Sequence, residues 1–147
     1  MCGIAGQVSF EGNQNIDDLR QQLKIMLATI AHRGPDDESI WVDENGLSAL
    51  GHRRLSIIDV SERANQPMQS SCYRYICAFN GEIYNYIELR DYLISKGAIF
   101  KTESDTEVLV EMFAFLGVDE TLRRIDGMFS ISLWDRKNSS LYLIRDR

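Results

Sequence analysis

The chain has 147 residues, 44% hydrophobic and 26% charged, enough for one domain with a sizeable core and close to the globular average. Twenty-two acidic against sixteen basic residues give a net charge of -6, which argues against nucleic acid as a partner held by phosphate neutralisation. No apolar run approaches the ~18 residues of a membrane span, and the N-terminus lacks the apolar core of a signal peptide. A soluble cytoplasmic protein without membrane contact is therefore expected.

In chain order, residues 3–10 (GIAGQVSF) read as a first strand. Asp17 then caps a helix whose apolar positions Leu19, Leu23, Met26, Leu27 and Ile30 keep helical spacing, and Arg33-Gly34-Pro35-Asp36 ends it with turn signals. Strands are predicted over 39–42 and 47–58, joined by an Asn45-Gly46 hairpin turn, and again over 73–79. Asn85, with Glu88 three residues on, starts a helix that stops at Gly97. Ser104-Asp105-Thr106-Glu107 has the capping-box form and precedes Val108, Leu109, Met112, Phe113 and Leu116. Residues 128–134 and 141–144 form a final hairpin across Arg136-Lys137-Asn138, with apolar residues on both faces as in strands covered on both sides. Strands packed with helices on their outer faces describe a layered α+β domain.

Cysteine usage narrows the chemistry. Cys2, Cys72 and Cys77 are odd in number and irregularly spaced, which suits a reducing compartment better than a disulfide framework. With only His32 and His52 beside them, no pair falls at zinc-site spacing, so no metal is expected. Asn138-Ser139-Ser140 is read as a polar turn.

Four features carry chemistry. Removal of the initiator methionine would leave Cys2 with a free α-amine beside its thiol, and an α-amine with a pKa near ~7.7–8.0 can act as a base at neutral pH. One residue then supplies nucleophile and base without a histidine. Asn80-Gly81 after a strand is ordinarily a turn, but an Asn side chain and the next backbone N–H can also converge on one oxyanion. In Gly51-His52-Arg53-Arg54-Leu55-Ser56 the two arginines point to opposite faces of a strand, so at most one faces a given pocket, where its fork suits a carboxylate. Asp105 lies in a first helical turn, whose field favours an acid and keeps it ionised, as a site for an ammonium group requires.

Together, Met1-Cys2-Gly3-Ile4-Ala5-Gly6, His32-Arg33-Gly34-Pro35-Asp36, Gly51-His52-Arg53-Arg54-Leu55-Ser56-Ile57-Ile58-Asp59, Gln66-Pro67-Met68, Asn80-Gly81-Glu82-Ile83-Tyr84-Asn85, Ser104-Asp105-Thr106-Glu107 and Asp126-Gly127-Met128-Phe129 occur in that order. The chain resembles the N-terminal glutaminase domain of glutamine-hydrolysing asparagine synthetases, class II glutamine amidotransferases of the N-terminal-nucleophile hydrolase family. That resemblance implies a four-layer αββα sandwich with two stacked, mainly antiparallel sheets. It implies that Cys2 attacks the side-chain amide of glutamine, that Asn80 and Gly81 hold the oxyanion, and that Arg54 grips the substrate carboxylate. Glu82 and Asp105 would hold the α-amino end.

Residues 79–85 and Arg33-Gly34-Pro35-Asp36 favour the asparagine-synthetase branch over related amidotransferases. Glu38-Ser39, where that branch often has a glycine, is read as a loop variation. No Ser-Gly-Gly-x-Asp-Ser pyrophosphate loop occurs. Residues 1–147 are thus expected to be a C-terminally truncated glutaminase domain without its own cofactor. ATP and magnesium would belong to a covalently following synthetase domain. Oligomeric state stays open, a homodimer among the options. A non-catalytic glutamine-binding or interaction module, and an amidotransferase acting on a sugar acid, stand as alternatives.

Overall fold

Leu19, Leu23 and Leu27 recur every four residues and are fully buried, which gives α1 (Ile16–Thr29) one apolar stripe. Each such leucine contributes about 1.5–3 kcal/mol of burial. The cap falls two residues earlier than predicted: the Asn15 side chain accepts the N–H groups of Asp17 and Asp18, which become the acidic first turn. Met26 points outward and is 38% exposed. The structure, a computed structural model, describes residues 2–11, 14–55 and 65–146. Met1, and residues 56–59 of the predicted third strand and its motif, lie outside the described residues.

Two antiparallel sheets result. β1 (Gly3–Val8), β2 (Asp37–Val42) and β3 (Ser48–Arg54) associate in the order β1-β3-β2, with Gly46 at φ +66° in the predicted hairpin turn. β4 (Met68–Gln69), β5 (Tyr75–Ile83), β6 (Gly127–Asp135) and β7 (Ser140–Arg145) form the second sheet in chain order. α1 packs on the first sheet, while β1 and β3 face β5 across the middle of the molecule. α3 (Asp105–Leu116) covers β4 and β5, with α2 (Tyr86–Ser95) and α4 (Val118–Arg124) packed against it. The order helix, sheet, sheet, helices is the expected four-layer αββα sandwich. Leu50, Ile76 and Trp134 fill the space between the sheets, and Tyr75, Phe79, Leu93, Val108 and Phe113 belong to the core beneath the outer helices.

Several local expectations change. Asn80, Gly81 and Glu82 are not a turn: β5 runs through them to Ile83, paired with Ser130, Phe129 and Met128 of β6. Asn85 precedes α2 without capping it through its side chain, which instead donates to the Arg124 carbonyl and accepts the Asp126 N–H. The capping box is half-formed. Ser104 accepts the Thr106 N–H, but Glu107 turns to the preceding loop and accepts from the Lys101 and Thr102 amides. Glu38 is a strand residue rather than a loop variation; it sits opposite Arg53 in β2–β3 and forms an ion pair with it. β6 is covered on both faces near Ile131, Leu133 and Trp134, but Leu143 on edge strand β7 is 75% exposed.

Candidate active site

The two arginines of β3 are separated by strand parity, as expected. Arg53 points to the helix side, where its Nε donates to the Leu27 carbonyl at 3.2 Å and Glu38 takes its charge. Arg54 points between the sheets with Leu50 and His52, is 9% exposed, and donates to Asn65 Oδ1. It lines a cleft of about 650 Å³ together with Cys2, Asn80, Gly81, Glu82 and Asp105. All six residues singled out in the sequence thus border one cavity, of a size usual for small-molecule sites.

Cys2 stands just before β1, half-buried, with its Sγ accepting the Leu55 N–H at 3.4 Å. Arg33 Nε donates to the Cys2 carbonyl at 3.1 Å, so the backbone of this residue is held as well as its sulfur. Arg33 stands in the His32-Arg33-Gly34-Pro35-Asp36 motif, which gave it no role of its own.

The oxyanion candidates owe their placement to the pleat of β5. The Tyr84 N–H donates to Asp126 O, which continues the ladder with β6. The Phe79 N–H goes to Gln66 Oε1 and the Ile83 N–H to Asp105 Oδ2, both away from β6. Gly81 lies midway between them, so period two sends its N–H to the same open edge, into the cleft. A Cβ at Gly81 would overlap the Met128 carbonyl oxygen and crowd Phe129, so the close approach of β6 requires glycine here. Asn80, one residue before, presents its side chain on the face β5 shares with the first sheet, the face of Ile76.

Asp105 occupies the first turn of α3, 6% exposed. The helix field was expected to keep it ionised, but burial outweighs that effect and raises its pKa above the ordinary carboxylate range. The Ile83 and Thr106 amides partly counter the rise, and the negative charge of Glu82 adds to it. A carboxylate buried with a second acid beside it is short of compensating positive charge. By linkage, a group with a raised folded pKa costs stability once pH exceeds that pKa. Asp105→Asn is therefore expected to melt higher than the parent protein at pH 7.5 while binding the glutamine that the resemblance implies as ligand roughly 10–100-fold more weakly. Thermal melts and calorimetric titration check the pair; a variant that loses both stability and binding would oppose this account.

His52 and Gln66 were not among the sequence-derived site residues. His52 is 1% exposed and its Nε2 lies 3.1 Å from the Phe79 carbonyl, an acceptor, which assigns the proton to Nε2. Burial pushes its pKa down to about 4, the Phe79 bond and the Asp37 carboxylate oppose this, and Arg54 reinforces it. An unfolded histidine takes up its proton near pH 6.5, so between that pH and 4 the unfolded chain holds the extra proton. Stability is then expected to fall on acidification through this window by about 3 kcal/mol, against no such component in His52→Gln. Denaturant titrations of both proteins at pH 7.5 and 4.5 measure it; equal losses would show that His52 is not the source.

The profile of the glutamine amidotransferase domain matches residues 1–147. Asparagine synthetase (glutamine-hydrolyzing) 1 of Bacillus subtilis is 41% identical over 146 residues, covering 99% of this chain and 22% of that protein. A putative asparagine synthetase (glutamine-hydrolyzing) of Mycobacterium tuberculosis is 37% identical over 161 residues, covering 99% of this chain and 24% of that protein. The chain thus spans about a quarter of the length of these relatives. Among solved structures, the glutamine phosphoribosylpyrophosphate amidotransferase of B. subtilis superposes over 97% of this chain and 36% of its own, with a TM-score of 0.70 and 20% identity, a likeness of fold. Sequence match, antiparallel double sheet and a cysteine-headed cleft coincide: the chain belongs to the glutamine amidotransferase domain family.

Proposed function

We propose that this domain hydrolyses the side-chain amide of glutamine to glutamate and ammonia, and that the ammonia serves an ATP-dependent, asparagine-synthetase-like amide-forming domain. The carrying observation is the convergence of Cys2, Asn80, Gly81, Arg54, Glu82 and Asp105 on one cleft. In this reading the α-amine of Cys2, freed by loss of Met1, takes the thiol proton as Sγ attacks the amide carbon. The carbonyl π pair moves onto oxygen, which the Asn80 side chain and Gly81 N–H receive. The amine's proton passes to the leaving nitrogen, the C–N bond breaks, and ammonia departs from a Cys2 thioester. Water then attacks the thioester carbon, giving up a proton to the amine, and glutamate leaves as the thiol is restored.

Arg54 anchors the α-carboxylate through a guanidinium pre-oriented by Asn65. Asp105 and Glu82 take the α-ammonium at the other end. The domain needs no cofactor of its own for these steps, and ATP and magnesium would act on the synthetase side. The domain is assigned to residues 1–147, and a cytoplasmic setting suits its free thiol nucleophile. The test is incubation of the intact protein with glutamine. Equimolar glutamate and ammonia, a mature N-terminus at Cys2, and a glutamyl adduct on Cys2 by mass spectrometry are expected. Glutamine that binds without turnover would instead favour the non-catalytic module.

A further inference from the structure

Gln66 is 8% exposed, and each polar atom of its carboxamide has one defined partner. Its Oε1 accepts the N–H of Phe79, the residue before Asn80, and its Nε2 donates to Thr106 Oγ1 at 3.1 Å. A backbone N–H can only donate, so the orientation of the amide is determined by that contact. Thr106 directly follows Asp105 in the first turn of α3, whose Asp105 carboxylate accepts the Ile83 N–H of β5 at 3.2 Å. The bonded chain therefore runs from the β5 edge that presents Gly81, through Gln66 and Thr106, to the acid at the start of α3.

Resting on the glutaminase reading, we infer that Gln66 is a positioning residue that sets the oxyanion edge of β5 relative to Asp105, joining the two halves of the substrate site. The residue types required at this position are narrow. The Phe79 N–H needs an acceptor, and the Thr106 hydroxyl oxygen, as it stands, accepts from a donor. A carboxamide offers both at the right reach; an apolar side chain leaves two buried polar groups unpaired, and a carboxylate has no proton for Thr106. His52 holds the Phe79 carbonyl on the same edge, so both backbone groups of this residue are clamped by side chains rather than by a neighbouring strand. β4 pairs only with Ile76 and Cys77, which leaves the edge of β5 beyond them to these clamps. The edge needs to be held, because an oxyanion donor displaced by about 1 Å costs on the order of 10²-fold in rate while ground-state binding changes little.

The experiment is a double-mutant cycle in the intact protein with Gln66→Met, Thr106→Val and the combination, measured as ammonia release. Glutamine dissociation constants are taken by calorimetry in a Cys2→Ala background. Gln66→Met is expected to lower kcat roughly 10–100-fold while the dissociation constant moves less than about 3-fold and Cys2 alkylation by iodoacetamide keeps its rate. The double variant is expected to be no slower than the slower single variant, and Thr106→Ser, which keeps the hydroxyl, to restore turnover. An unchanged kcat in Gln66→Met, losses that multiply in the double variant, or a fall in kcat accompanied by equal losses of binding and of Cys2 reactivity would each overturn the positioning role. Absence of glutamine binding and turnover in the unsubstituted protein would be a separate result, removing the functional reading and this inference together.

Discussion

Cys2→Ala is expected to abolish ammonia release from glutamine, a loss of roughly 10⁴-fold or more, because Cys2 is the only thiol that lines the cleft among the described residues. The other two cysteines cannot substitute for it. Cys77 is fully buried within β5, where burial pushes its thiol far above the ordinary range, and Cys72 is exposed between β4 and β5 outside the cleft. The glutamine dissociation constant should stay within about 3-fold, since in the proposed function Arg54 and Asp105 carry the ends of the substrate. A companion protein carrying one extra residue before Cys2 should be nearly as inactive although its thiol is intact, because the base is then an amide. Full turnover with that extension would exclude the α-amine as base. Ammonia release, with intact mass to verify each N-terminus, gives the answer.

The next largest effect is expected for Asn80→Ala, about 10²–10³-fold in kcat with little change in KM. In the proposed reaction the carboxamide meets developing negative charge in the tetrahedral intermediate but only a neutral carbonyl before it, so its contribution appears in the barrier. The Gly81 N–H remains on the open edge of β5 and sustains the residual rate. A rise in KM at unchanged kcat would identify Asn80 as a ground-state contact instead. Fold integrity is not at issue, since Asn80 is half-buried and its backbone pairing with Ser130 does not depend on the side chain.

Much of this site was legible because its residues sit at positions that local rules describe. Strand parity separated Arg54 from Arg53, and a second-position cysteine marked the candidate nucleophile. The first turn of a helix suited Asp105 both as a plain first-turn acid and as a partner for an ammonium group. What local rules misread were positions where tertiary pairing overrides propensity. Asn80-Gly81 has the composition of a turn, yet β6 pairs with it along its whole length and keeps it extended. Asn85 has the composition of a cap, yet its side chain serves the Arg124–Asp126 connection. Glu107 was expected to reach back to Ser104 and instead ties down residues 101 and 102.

Gln66, His52 and Arg33 were missed for another reason. Their partners, Phe79, Thr106 and Cys2, lie 13 to 40 residues away along the chain, and no periodicity connects them. The ionisation of Asp105 likewise depends on burial, which a helix position does not disclose. The sequence by itself determined the layered architecture and, through the order of its motifs, the family resemblance that names the six residues bordering the cleft. Parity and caps alone left the choice between Arg53 and Arg54, and the role of Asp105, open. Only the tertiary structure decided which backbone amides of β5 stay open to a substrate and which side chains hold them there. Sheet pairing uses N–H groups on alternate sides, and a chain read in one dimension does not say on which side its partner strand lies.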